Sequence, residues 1–365
     1  MNIVYLIGNG FDLNLGMKTS YRNFSEYYTL LPSDDDPDVI MRFKEELRKE
    51  TKRKNWSDLE SFLGEYLKNT DEQEAIELYE RLIDDLPKYI KLEEEKCYLD
   101  DTQKNIFLKY LGNPYAENIL SKNERRELIN YSAAWSNVGW NIKLITFNYT
   151  RSIERLLGDI NQNLRIEKHH GAFGIVLSAI EHIHGFIDDR IILGVNDDSQ
   201  IQNDKLRIRE KVFKRYVKPI CNNKTGVGHD DTCKQWIDLA HLICLFGLSI
   251  GDTDKLWWNI VGKALLRKCK VIIFYYKKEG LPDGNHIALK DDIKDAVKDN
   301  FLSKTDIKKD LWDDVKKNIY VALNTDMFNF HIEKMNASNG KNNDINHPEP
   351  SRADDVVFVQ NVMGG

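Results

Sequence analysis

Four short segments of this chain carry side chains suited to work on a nucleotide. The first is Gly8-Asn9-Gly10-Phe11-Asp12, which follows the apolar run MNIVYLI of residues 1–7 without a break. Two glycines one residue apart let the backbone turn sharply and come close to a ligand. A helix starting near Phe11 would aim its free N–H groups over that turn, where an anion is favoured. The corner reads as nucleotide-binding, with a ligand-free strand-to-helix turn as the plainer alternative. A hydride-transfer dehydrogenase is disfavoured. Leu13 occupies the place of the third fingerprint glycine, and Asp34, Asp35 and Asp36 lie in a Ser/Asp/Pro loop with no strand before them.

The other three segments follow apolar runs, where ligands bind in open α/β sheets. Thr146-Phe147-Asn148-Tyr149-Thr150 comes after IKLI, His184-Gly185 after EHI, and Gly247-Leu248-Ser249-Ile250-Gly251-Asp252 after LICLF. Each has a plainer reading. A strand-end Asn caps helices and turns; His184 and His182 can be structural; Gly-x-Ser can be a turn. Gly247-x-Ser249-x-Gly251 also fits a nucleophile elbow, whose histidine would have to be His286 or His331. His169-His170-Gly171 competes with His184, which is preferred because an apolar strand leads into it and IILGV follows. Asp12 suits a helix cap, Tyr21 a stacking or core position, and Glu60, in WSDLESFL, either a cleft or a local turn. Asp188-Asp189, Asp197-Asp198 and Asp230-Asp231 read as turn residues. Cys221 and Cys233, with His229 nearby, form only a weak metal pattern, so no metal is expected.

The elements that must position these groups follow from periodicity. Strand-like runs cover residues 142–147, 181–184, 190–195, 241–247, 270–276 and 318–323, with a further pair at 164–170 and 174–178 that suits a hairpin. Helical patterns at 152–157 and 254–267 lie between strands, which implies a mostly parallel α/β sheet with helices on both faces. Residues 37–140 change character: apolar positions recur at helical spacing among Glu and Lys, and read as four to six inserted helices. The expected organisation is a Rossmann-like nucleotide-binding domain over residues 1–36 and 141–330, an all-helical insertion over 37–140, and a polar linker and tail over 331–365. Position alone gives the insertion the part of a lid or side wall.

Bulk properties narrow the classes. The 365 residues are 41% apolar and 30% charged, enough for a large core. A net charge of −6 disfavours general nucleic-acid binding. No apolar stretch is long enough for a membrane span, and no basic, apolar secretory signal opens the chain. Five scattered cysteines read as reduced thiols. A cytoplasmic protein is expected.

Taken together, LIGNGFDLNLGMKTSYRNF, WSDLESFL, LITFNYTRSIERLL, HIHGFIDDRIILGV and LFGLSIGDTD resemble the AbiH family of bacterial phage abortive-infection proteins. The resemblance spans about residues 1 to 330. The order Gly-rich turn, Asn, His-Gly and Gly-x-Ser is more distantly similar to the sirtuin-like NAD-binding fold. These resemblances imply an antiviral defence effector that binds NAD and hydrolyses it to nicotinamide and ADP-ribose, as an NAD glycohydrolase. They place Asn148 and His184 as catalytic residues, Gly8, Asn9 and Gly10 around the phosphates, and Gly247, Ser249 and Asp252 on the adenosine side. Asp12, Tyr21, Thr146 and Thr150 complete the expected NAD contacts. Thr150 stands where the related motif carries Asp, and the CxxC…CxxC zinc module is missing, which points away from a deacylase. The alternatives are a non-catalytic nucleotide-binding sensor or scaffold, and a hydrolase or nuclease of another substrate. A homo-oligomer or a defence-system partner is the expected assembly.

Overall fold

The computed structural model describes residues 1–32, 35–53, 58–158, 163–168, 174–224, 229–282 and 286–330. Asp34, His169, His170, Gly171, His331 and the expected linker and tail of 331–365 lie outside the described residues.

Seven strands form one sheet: β1 (Asn2–Ile7), β2 (Trp140–Thr146), β3 (Leu164–Lys168), β4 (Gly174–His182), β5 (Leu242–Phe246), β6 (Lys270–Tyr275) and β7 (Ile319–Leu323). Their order is β3-β4-β2-β1-β5-β6-β7. Every neighbouring pair is parallel except β3 with β4. The protein is thus a mixed α/β molecule with a mostly parallel sheet, as its alternating pattern predicts.

The strands are nearly continuous runs of Ile, Leu and Val because both faces of the sheet are covered. Successive side chains point to opposite faces. Ile3, Tyr5 and Ile7 join Ile142, Leu144, Cys244 and Ile272 on one face. Helices Asp101–Gly112, Lys122–Ser132 and Ser152–Leu157 cover it. Val4 and Leu6 join Ile243, Leu245, Val271 and Val321 on the other, under helices His229–Asp238, Lys255–Leu266 and Ile287–Ser303.

A third core lies outside the sheet. Helices Tyr21–Leu30, Asp38–Glu50, Leu59–Tyr66 and Glu72–Lys96 pack around Phe24, Phe43, Leu63 and Leu82. Ile191, Leu193, Val195 and Tyr216 belong to the same cluster. The helices of residues 37–140 therefore divide: those up to Lys96 build this lobe, and those from Asp101 cover the sheet. The Asp36 side chain is buried between Lys44 at 2.6 Å and Arg81 at 2.7 Å. Among the described residues no helix is long and apolar enough to cross a membrane.

Two expected strands differ. Residues 174–178 and the start of the 181–184 run belong to one strand, β4, which ends at His182, because β2 pairs with it from Ile175 to His182 across one irregularity. Residues 190–195 are not a strand of the sheet. Gly185, with φ of 74°, turns the chain away, and only isolated bridges Gly185–Ile191 and Val195–Val217 form. Ile191, Leu193 and Val195 keep strand-like alternation but point it into the helical lobe.

The glycine corner closes against β5. A Cβ on Gly8 would stand 2.5 Å from the Gly247 carbonyl oxygen and 2.7 Å from Leu248 Cδ2. Gly8→Ala is expected to lower the unfolding free energy by about 1–3 kcal/mol through overpacking, read from urea denaturation. Gly16→Ala has open space at its Cβ and should cost only the backbone strain of its positive φ, about 1–2 kcal/mol.

Candidate functional site

All four signature segments meet at the C-terminal edge of the sheet. Parallel pairing places Thr146 beside Ile7 and His182 beside Thr146, with Phe246 beside Ile7 on the other flank. The segments that follow these strand ends are therefore neighbours: His184-Gly185, Asn148 to Thr150, the Gly8 corner, and the Gly247 turn. Asn148 and His184 come from adjacent strands. Phe147 meets the His184 ring edge-on at 5.4 Å between centroids, and the Tyr149 ring lies at 6.5 Å.

Asn148 is 5% exposed. Its backbone N–H donates to Thr146 Oγ1 and its carbonyl oxygen faces His182 Nδ1 at 3.1 Å. Neither side-chain amide atom has a hydrogen-bond partner. The amide does lie close enough to Asp12 to help lower that acid's affinity for a proton, though short of hydrogen-bond geometry.

Asp12 is almost wholly buried and accepts from Thr150 Oγ1 at 2.8 Å and Ser152 Oγ at 2.7 Å. Burial pushes its pKa up to about 7, opposed by those two hydroxyls and reinforced by the charge of Glu94. Thr150 is thus a partner of the buried acid, and Asp12 does not cap a helix from outside.

His184 is 5% exposed, and its Nε2 lies 3.3 Å from Asp254 Oδ1. Burial, then the nearby Lys218 ammonium, lowers its pKa, against the pull of Asp254. The imidazole is accordingly neutral near pH 7 and can accept a proton. Asp254 also accepts from Lys218 Nζ at 2.7 Å, and the same ammonium reaches Glu60 Oε2 at 2.8 Å. Burial raises the Glu60 pKa, whereas Lys218 and His184 hold Asp254 well below the usual carboxylate range despite its burial. Glu60 Oε1 accepts from Gly194 N. Tyr21 Oη lies 3.3 Å from Tyr149 Oη, which donates to the Ile192 carbonyl.

Other expected contacts are placed differently. Gly8 N donates to Phe246 O, Gly10 N to Gly247 O and Phe11 N to Gly8 O, so these N–H groups are committed within the chain. The helix after the corner has only five residues, Gly10–Asn14. Asn9 Oδ1 accepts from Thr19 Oγ1. Gly247 adopts φ of 67° and packs on Gly10. Ser249 is exposed, and no histidine among the described residues bonds to it; the other candidate base, His331, lies outside them. Asp252 faces outward, its carboxylate 2.9 Å from Lys304 Nζ; the inward acid is Asp254, two residues on. His182 does not simply fill the core, since its Nε2 meets Glu154 at 2.8 Å. Asp230 and Asp231 begin helix His229–Asp238, and Asp230 is buried. Among the described residues no three His, Cys, Asp or Glu side chains gather as a metal site requires.

Sequence reasoning missed Lys218 and Asp254. Asp254 was detectable by helical phase, since Trp257, Trp258 and Val261 follow it at spacings of three, four and seven on a buried face. Lys218 carries no such signal; it begins helix Lys218–Lys224, next to the bridge between Val195 and Val217.

Residues 4–276 match the family described as Bacteriophage abortive infection AbiH. No curated protein matches the chain.

Two expectations follow from this geometry. Lys218→Met leaves the buried Glu60 and the largely buried Asp254 side chain without their cation and should cost about 3–5 kcal/mol at pH 7, measured by urea denaturation. Asp12 holds its proton more tightly folded than unfolded, so its contribution to stability is present below about pH 4 and is lost as pH rises through about 7. Between pH 5 and pH 8 the wild type should lose roughly 2–3 kcal/mol from this source, a slope that Asp12→Asn removes.

Proposed function

The chain belongs to the AbiH family of bacteriophage abortive infection proteins, and on that premise we propose that it acts in phage defence by binding NAD and hydrolysing it to nicotinamide and ADP-ribose. The order of its six parallel strands, β4-β2-β1-β5-β6-β7, supports a nucleotide ligand. It is the 3-2-1-4-5-6 order of doubly wound dinucleotide-binding sheets, with β3 added at one edge, and ligands of such sheets lie at the carboxyl ends where the order reverses. Here the reversal falls at β1, among the four signature segments.

The observation that carries the reading is the Asn148 amide, buried and without a partner. An unsatisfied buried amide costs about 1–3 kcal/mol, which a substrate hydroxyl can relieve. Beside it, His184 is kept neutral and held by Asp254. In the proposed reaction the C1′–N bond breaks, and its electron pair passes to the pyridinium nitrogen. Nicotinamide leaves as a neutral molecule, so no general acid is needed for it. Asn148 positions the ribose hydroxyl and the attacking water. His184 takes the proton. The closed glycine corner leaves the weight of the reading on Asn148 and His184.

Purified protein incubated with NAD should release nicotinamide. Asn148→Ala should lower that rate at least about 100-fold while the thermal unfolding curve stays in place. Full turnover in that variant overturns the assignment. NAD binding with no nicotinamide release by the wild type would instead mark the protein as a nucleotide sensor.

A further inference from the structure

A small polar pocket opens beside His184. Its lining includes Lys218, Asn222, Asp230, Asp254 and Trp257. The space suits about a single water, not a ring. Lys218 and Asp254 are already tied to each other. Asp230 is different. It is 4% exposed, and its Oδ1 has no hydrogen-bond partner. A buried carboxylate oxygen left this way is costly, and burial pushes the Asp230 pKa up to about 6 in spite of Lys234, Arg190 and His229 nearby. His184 lines the same pocket, and its Nε2 faces Asp254. With its proton directed there, Nδ1 is left as the accepting nitrogen.

We infer that Asp230 is a positioning residue that holds a water against His184, and that this water is the nucleophile. The inference rests on the NAD-hydrolysis reading for its chemistry, but not for the water site. A buried water needs two to four polar partners. Donating one O–H to Asp230 Oδ1 and the other to the His184 imidazole leaves its oxygen lone pairs free. That oxygen then bonds to C1′ as the C1′–N bond breaks. The pair from the broken bond neutralises the pyridinium nitrogen, and the water's proton passes to His184 and on to solvent. The products are ADP-ribose, nicotinamide and one proton. Trp257 lines the same pocket.

Two measurements on the full chain test this. A crystal structure that resolves waters should show one within hydrogen-bond distance of both Asp230 Oδ1 and the His184 ring, absent in Asp230→Leu. A wild-type pocket without that water, or a water bridging other groups, overturns the site. In mixtures of water and methanol, NAD cleavage yields ADP-ribose and its methyl glycoside. Asp230→Asn, nearly isosteric and expected to fold, should lower kcat roughly tenfold at unchanged KM and raise the methyl glycoside share. An unchanged product split in both folded variants overturns the positioning role. Should the wild type release no nicotinamide, the NAD reading fails, while the crystallographic result still decides whether Asp230 and His184 share a water.

Discussion

An ammonium group on a side chain only 4% exposed sits between two carboxylates from distant parts of the chain. Glu60 belongs to the helical lobe, Asp254 to the turn after β5, and Lys218 to the segment returning from the lobe to the sheet. Removing three charges from water is expensive, and attraction offsets the cost only when geometry and hydrogen bonds are good. Here Glu60 also accepts from Gly194 N, and Asp254 faces His184. The arrangement fixes the lobe against the sheet and sets the charge next to the imidazole. Without Asp254, the imidazole would lose the group that holds its Nε2 and that partly opposes the lowering of its pKa by burial and Lys218.

Asp12 and Asp254 are both aspartates, both deeply placed, and their environments push them in opposite directions. Asp254 has a cation within 2.7 Å and stays ionised. Asp12 has only hydroxyls, an amide and the repulsion of Glu94, so it titrates near neutrality. A pair of acids separated in this way gives the same end of the sheet both a fixed negative charge and a group that titrates near neutrality. Asn148 lies beside the titrating group, and His184 beside the fixed charge.

The sheet was largely legible in the sequence. Runs such as LITF and LICLF are too apolar and too short for anything but buried strands, and the helices between them implied parallel pairing. The strand ends named the candidate groups because side chains there are free of sheet packing. Two kinds of information were not legible. Residues 190–195 alternate as a strand does, yet alternation reports burial on one side, not the identity of the partner; here the partner is a helical lobe. Lys218 looks like any surface lysine, since its carboxylates lie 158 and 36 positions away. Motif order singles out Asp252, whereas helical phase places Asp254 on the buried face. The glycine corner was read as open because sequence shows the turn but not the β5 loop that packs on it.

The lobe's core has a consequence for synthesis. Its helices end at Lys96, but Ile191, Leu193, Val195 and Tyr216 complete their packing. A ribosome that has delivered only the first hundred residues presents an unfinished apolar groove and a Glu60 without its cation. The groove closes only after more than a hundred further residues emerge, among them strands β2, β3 and β4 of the sheet. Chains with such long-range closure fold slowly and expose sticky surface while they wait. Chaperone demand during translation should thus concentrate on the N-terminal third, although in the finished molecule that region is well packed.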